Sequence, residues 1–506
     1  MATPDATVYE KLARHFRRIG QLGEVAAIVE WDQAVNMPAA AGPARADAMA
    51  TVASLSHDLR TQAWLGDALA AAELQRDLGA WERANLKEMS RAWRRATAVP
   101  GDLVEASTKA EKTCEQAWRQ CRAANDFMAF APLLESVVAL KIQVAQALAE
   151  HLGCSPYDAL LDEYEPGARA EDIDVIFAEL RAFLPSFTEQ VIEHQRAEAP
   201  IVPLGPFPLD QQRALAQELM LATGFDLSIG RLDTSHHPFC GGVPRDVRLT
   251  TRYDERDFTS AIMGVLHEAG HGKYEQALPA HWEHSPVGQA RGMLIHESQS
   301  LLQEMQVCRS PEFLRFAAPG FRTAFPEQSR AQPLAYTPQN LASLYTRVKR
   351  SFIRVDADEV TYPSHVLLRY EIERDLLGGK LRVRDLPEAW DTGMRLLLSV
   401  STLGNDRDGC MQDVHWPSGA FGYFPLYTLG AMAAAQLYEH ARRAVPAIPE
   451  AIAAGNFGLL NDWLRQHIWA RASSVSTQQL LTDATGEPLN SHYFIHHLQR
   501  RYLPRA

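Results

Sequence analysis

The chain has 506 residues, 46% hydrophobic and 22% charged, which is the mixture of a globular protein and excludes a disordered or collagen-like one. A net charge of −12 gives no electrostatic reason to expect a nucleic acid or an anionic membrane as partner. At roughly 150 residues per domain the length allows about three domains, or one large helical unit.

The N-terminus, Met1-Ala2-Thr3-Pro4-Asp5, lacks the basic-then-apolar pattern of a signal peptide. Apolar and small residues at helical spacing predict a helix over Tyr9–Glu30. The proline-free, Ala-, Leu- and Glu-rich stretch Trp64–Thr97 predicts long helix. Leu133–Leu152 and Asp210–Thr223 follow the same pattern, the latter stopped by Gly224. Breaks at Met37–Pro43, Glu165–Gly167, Pro200–Pro208 and Pro446–Pro449 are too short to link separate domains. Asp246–Tyr253 alternates polar and apolar side chains and predicts a strand. Apolar runs such as Gly430–Gln436 fall short of the roughly 18 residues that span a bilayer. No period of about 20 to 50 residues repeats, so a solenoid is not expected. Six scattered cysteines, at 114, 121, 154, 240, 308 and 410, form no C-x-x-C pair and read as reduced thiols of a cytoplasmic protein.

Between the predicted strand and residue 300 lies His267-Glu268-Ala269-Gly270-His271, an H-E-x-x-H pattern. With 18 histidines in the chain, chance alone produces it in roughly 4% of such sequences, so its surroundings decide. Ile262, Val265, Leu266 and Ala269 fall at i, i+3, i+4 and i+7, one apolar helical stripe. On that helix His267 and His271 share a face and can both reach one tetrahedral ion. Glu268 then stands where it can take a proton from a metal-activated water. A zinc site of this kind needs a third protein ligand. His296-Glu297-Ser298-Gln299 opens the next helical stretch, predicted to run to about Gln306, and Glu297 follows His271 by 26 residues. A returning antiparallel helix would present Glu297 to the same ion. Two histidines and one glutamate suit Zn2+ in a hydrolase, and Co2+ or Mn2+ fits the same donors.

Five motifs occur in order: Asp246-Val247-Arg248-Leu249-Thr250 (D-x-R-x-T), His267–His271, His296–Gln299 (H-E-S-Q), Ile353–Asp358 (I-R-x-x-A-D) and Gly409–Trp416 (G-x-x-Q-D-x-H-W). Together they resemble the carboxypeptidase Taq family, also called thermostable carboxypeptidase 1. The likeness extends from Trp31-Asp32-Gln33 through Tyr157–Gly167 to Thr485-Gly486-Glu487. It implies a metallocarboxypeptidase that releases single amino acids from peptides with a free C-terminus. It also implies one mainly α unit, residues 1–506, with a deep substrate groove flanked by two helical subdomains, a small sheet beside the H-E-x-x-H helix, and a homodimer.

Within that resemblance Glu268 is the general base. Arg354 is the candidate for the substrate carboxylate, against a structural ion pair with Asp356 or Asp358. Arg248 is a second candidate, against a pair with Asp246. His415 and Tyr423 are similar in placement to the oxyanion-stabilising pair of angiotensin-converting-enzyme-like peptidases, against ordinary buried residues. Tyr427 reads as pocket wall, Gln412 as a substrate-side or loop-fixing residue, and His237 as groove lining or structure. Cys410 beside the site reads as packing rather than a reactive thiol. Two other functions compete: an oligoendopeptidase on the same scaffold, which needs no carboxylate-binding arginine, and an inactive helical peptide-binding protein, which needs no intact Glu268.

Overall fold

Helices dominate the structure, a computed structural model that describes residues 6–197 and 199–503. The chain forms two compact units, each assembled from three stretches. The first comprises Met1–Ala96, Pro200–Tyr345 and Ala433–Leu489; the second comprises Thr97–Ala199, Thr346–Met432 and Asn490–Ala506.

In the first unit, helix Val8–Val35 opens on a capping box in which Thr7 and Glu10 satisfy each other's amides, and it runs past both predicted ends. Its stripe Tyr9, Leu12, Phe16 and Ile19 packs on Leu65, Leu69, Leu86 and Met89. The long helix expected over Trp64–Thr97 is instead two, Trp64–Glu73 and Ala80–Ala98. The chain turns between them because Leu78 tucks into this core and the Gly79 amide, bonded to Glu82 Oε2 at 2.7 Å, starts the next helix. Helix Leu209–Thr223 ends as expected on Gly224, at φ 101°.

The sheet has three strands: β1 Gly230–Thr234, β2 Phe239–Val243 and β3 Asp246–Thr251. β3 is central, parallel to β1 and antiparallel to β2. Its buried Val247 and Leu249 confirm the predicted strand, which ends two residues early. Helix Phe258–Gln276, capped by Asp257, carries the H-E-x-x-H sequence, and its predicted stripe Ile262, Val265, Leu266 and Ala269 is fully buried. Two glycines let this helix approach its neighbours. A Cβ at Gly272 would stand 2.6 Å from the Phe225 ring and 3.2 Å from Leu249 of β3. One at Gly270 would stand 2.6 Å from the backbone of Gln299 and Ser300. No side chain fits there, and helix Gly292–Leu301 lies backbone against backbone on the H-E-x-x-H helix. Helix Gly292–Leu301 continues into a π-helical segment, Leu302–Cys308, slightly beyond the predicted Gln306.

In the second unit, helix Phe127–Leu152 begins six residues before the predicted Leu133, because Asp126 caps it and Pro132 is accommodated inside. By length and composition it is long and apolar enough to cross a membrane, which the run-length reading of the sequence missed. Its Phe130, Leu134, Val137 and Leu148 are buried, and it packs against helices Gly101–Ala124 and Pro156–Tyr164 of the same unit. Helix Tyr362–Leu377 is buried along most of its length and packs on Leu386–Leu398 and Ala170–His194. The last helix, Ser491–Tyr502, is tied down by buried Glu359, which accepts from Arg501 and Tyr502 and pairs with His497 at 2.8 Å.

Candidate active site

In the first unit, one ligand atom each from His267, His271 and Glu297 lies within 4.8 Å of the others, the three-residue group expected of a metal site. The geometry follows from the packing. The i, i+4 histidines project from one helix, and the contact at Gly270 brings Glu297 on the adjoining helix to the same place. His271 Nε2 is 3.5 Å and His267 Nε2 4.0 Å from the Glu297 carboxylate, so both rings turn Nε2 inward.

Their other nitrogens are held from behind. His267 Nδ1 meets Glu304 Oε2 at 3.0 Å, and Arg309 Nη2 donates to the other oxygen of Glu304 at 2.5 Å. His271 Nδ1 meets His296 Nδ1 at 2.6 Å, and His296 Nε2 meets Glu275 Oε1 at 2.8 Å. A ring fixed through Nδ1 offers Nε2 in one orientation, as metal-binding imidazoles require.

The charge balance fits a cation. Burial favours a neutral His267, yet the bond to Glu304 and the charges of Glu297 and Glu268 overcome it and hold the pKa up to about 10. Burial pushes the Glu268 carboxyl up to about 7, with His267 pulling it down and Glu297 pushing it further up. Three buried carboxyl side chains, Glu268, Glu297 and Glu304, thus stand around the two imidazoles, a setting that suits a divalent ion. Lys273, two residues past His271, is also buried; its ammonium donates to Thr223 O, Gln303 Oε1 and Asn461 Oδ1 at 2.9–3.1 Å, pinning the helix to the π segment.

Arg248 pairs with Asp246, Nε to Oδ1 at 2.9 Å and Nη2 to Oδ2 at 2.5 Å, and stacks 4.6 Å from the Trp31 ring. Of its two readings the structure displays the structural pair. Arg231 also lies over Trp31, at 5.0 Å, so the Trp31-Asp32-Gln33 marker supplies a platform for two sheet arginines. Asp32 is paired with Arg45 at 2.7 Å. His237 is exposed in the β1–β2 connection beside His236, and its carbonyl accepts from Ser235.

In the second unit, Arg354 is buried, but its partner is neither Asp356 nor Asp358. Nε and Nη2 donate to Asp413 Oδ1 at 3.2 and 2.9 Å, and Nη1 donates to Tyr362 Oη at 2.6 Å. Asp356 is exposed, and Asp358 is spent on the amides of Lys349, Val360 and Thr361. The second oxygen of Asp413 receives Arg369 Nε at 2.6 Å. Gln412 accepts from the Arg354 amide at 2.8 Å and donates to the carbonyls of Phe352, Asp408 and Gly409. Its side chain is therefore committed to the loop, which corrects the substrate-side reading of this residue.

His415, Tyr423 and Tyr427 come together, with ring centroids of 5.5 Å for His415–Tyr423 and 5.3 Å for Tyr423–Tyr427. Tyr427 Oη is 3.5 Å from His415 Nε2. Burial lowers the His415 pKa to about 4, Asp413 opposing and Arg354 assisting, so the ring is neutral at pH 7. Glu373, unmarked in the sequence, anchors this loop: it accepts from Tyr157 Oη, Trp416 Nε1 and the Gly422 amide at 2.8–3.0 Å. That explains two family markers, Tyr157 and Trp416, in one stroke. Burial pushes the Cys410 thiol well up, in keeping with packing.

A family model described as "Carboxypeptidase Taq (M32) metallopeptidase" matches residues 11–502. The chain is 38% identical over 512 residues to "Thermostable carboxypeptidase 1" of Thermus thermophilus, covering 99% of each chain. Its fold superimposes on "Trypanosoma Cruzi Metallocarboxypeptidase 1" with a TM-score of 0.96 at 41% identity, covering 98% of this chain and 99% of that one. It superimposes on an M32 carboxypeptidase from Deinococcus radiodurans R1 with a TM-score of 0.93 at 35% identity, covering 98% of each.

Proposed function

Because the chain belongs to the carboxypeptidase Taq (M32) metallopeptidase family, we propose that it hydrolyses the last peptide bond of peptides with a free C-terminus, releasing single amino acids. The observation that carries this reading is the buried His267–His271–Glu297 group beside the buried carboxyl of Glu268. Two imidazole nitrogens and a carboxylate favour Zn2+, with Co2+ or Mn2+ able to use the same donors. When bound, such an ion supplies Lewis-acid chemistry, polarising the substrate carbonyl and lowering the pKa of water.

The protein's own groups do the rest. Glu268 takes the proton from the attacking water and returns it to the departing amine. His415, neutral at pH 7, and the Tyr423 hydroxyl donate hydrogen bonds to the oxyanion, each a few kcal/mol of transition-state stabilisation at most. Arg354 receives the peptide's C-terminal carboxylate. Nη1 and Nη2 each carry one N–H beyond those given to Tyr362 and Asp413, enough for a two-pronged contact. Internal cutting, the alternative, draws no support from the relatives, which are named carboxypeptidases. We also propose a homodimer in the cytoplasm; a monomer's mass by light scattering at working concentration would remove the dimer.

The test is the response to the substrate's terminal charge. Arg354→Ala is expected to lower kcat/KM for an N-blocked peptide acid by roughly 10²-fold or more, since an unpaired buried carboxylate costs several kcal/mol. The matching C-terminal amide should suffer less, and metal content should stay. An unchanged acid-to-amide ratio would move carboxylate recognition to another residue.

A further inference from the structure

Asp413 poses a problem for carboxylate recognition. A guanidinium bonded through two nitrogens to a buried carboxylate forms a neutral pair, and a neutral pair attracts a second carboxylate weakly. If Arg354 and Asp413 stood alone, the arginine's charge would already be spent.

They do not stand alone. Asp413 divides its oxygens, Oδ1 to Arg354 and Oδ2 to Arg369. Arg369 has no exposed surface, and its Nη1 is further fixed on the His365 carbonyl at 2.7 Å. Among the described residues no second carboxylate bonds either guanidinium. Glu373, one turn on from Arg369, gives its oxygens to Tyr157, Trp416 and Gly422 instead, and burial pushes its carboxyl up to about 7, so that at neutral pH it carries only part of a charge beside Arg369. His415 and His365 are both held neutral by burial and by the neighbouring arginines. The Arg354–Asp413–Arg369 triad is therefore a buried group of two cations and one anion.

We propose that Arg369 is a positioning and charge-balancing residue for substrate recognition: by taking up the charge of Asp413, it leaves Arg354 both oriented and electrostatically available to the substrate carboxylate. Arg369 never touches substrate. Asp413 sets the rotamer of Arg354, and Tyr362 holds its remaining corner at 2.6 Å. The arrangement supplies a preorganised cation without leaving the aspartate to cancel it. This inference rests on Arg354 as the reader of the carboxylate.

The experiment compares the parent enzyme with Arg354→Ala, Arg369→Gln and Arg369→Lys. Each is assayed for kcat and KM on a peptide acid and its amide, with metal content and thermal midpoint measured alongside. Arg369→Gln keeps a hydrogen-bonding side chain but removes the charge. It is expected to narrow the acid-to-amide ratio about tenfold, through a rise in KM for the acid, with full metal content. Arg369→Lys restores the charge and should bring the ratio back to within about threefold of the parent. If both Arg369 variants lower acid and amide alike, the residue is only structural and the proposal falls. It also falls if Arg354→Ala narrows the ratio and Arg369→Gln does not. If Arg354→Ala itself leaves the ratio unchanged, Arg354 is not the reader, a distinct failure that removes the premise. Should Arg369→Gln not fold, Arg369→Lys decides alone: a ratio as narrow as that of Arg354→Ala overturns the charge argument, and a preserved ratio supports it.

Discussion

Glu268→Gln is expected to lower kcat by about 10²–10⁴-fold, the loss of a missing acid–base group, while metal content stays at the parent level. Metal is retained because Glu268 is not among the three residues that converge; it lies between His267 and His271 on their helix. The substitution keeps the size of the side chain and removes only its ability to carry a proton. The pH profile gives a second readout. Burial raises the Glu268 pKa to about 7, and the residue acts as a base only when ionised. The rate therefore falls as pH drops through that value, the carboxyl being protonated below it. A cation beside the carboxylate favours its ionised form, so in the loaded enzyme the acidic limb of kcat/KM has its midpoint at or below about 7. Near-normal turnover in Glu268→Gln, with the parent's acidic limb intact, would remove the residue from the mechanism.

Glu297→Ala is expected to abolish metal binding and activity together. It deletes one of three donors and leaves His267 and His271 facing each other with no carboxylate between them. The effect should exceed the roughly 10–100-fold loss of metal affinity typical of an outer partner, the position Glu304 occupies behind His267. Metal analysis after dialysis, read with activity on a peptide acid, checks both halves. A fully metallated and fully active variant would sink the ligand assignment.

The parts legible in the sequence were those with local periodicity. The stripe Ile262–Ala269, the two histidines one turn apart and the alternation of β3 all lie within a few residues, so a pattern reports them. The break at Leu78 escaped because nothing in its composition marks it; Leu78 is drawn into a core that other helices build. Glu373 and the Asp413–Arg369 pair escaped for a related reason. Their partners lie 43 to 216 residues away, and sequence spacing carries no signal at that range. Glu304 is the nearer miss. It follows Glu297 by seven residues, two helical turns on the same face, which is a readable signal for a second carboxylate near the same histidine. For Arg354 the neighbours in the chain were the wrong place to look for an ion-pair partner, which is Asp413.

The π-helical stretch Leu302–Cys308 has an evolutionary consequence. Such a widened turn holds one residue more than the regular helix it interrupts, and often sits at a functional site. It lies after Glu297 and contains Glu304. Removing a single residue from Leu302 or Gln303 would let the stretch close to regular pitch and shift Glu304 by one position along it, while Glu297 stayed in place. Glu304 would swing off His267, and Gln303 or its replacement would leave Lys273. The direct ligand and its supporting carboxylate are thus separable by one codon. Lineages that gain or lose that residue could retune the hold on the metal without touching the residues that bind it.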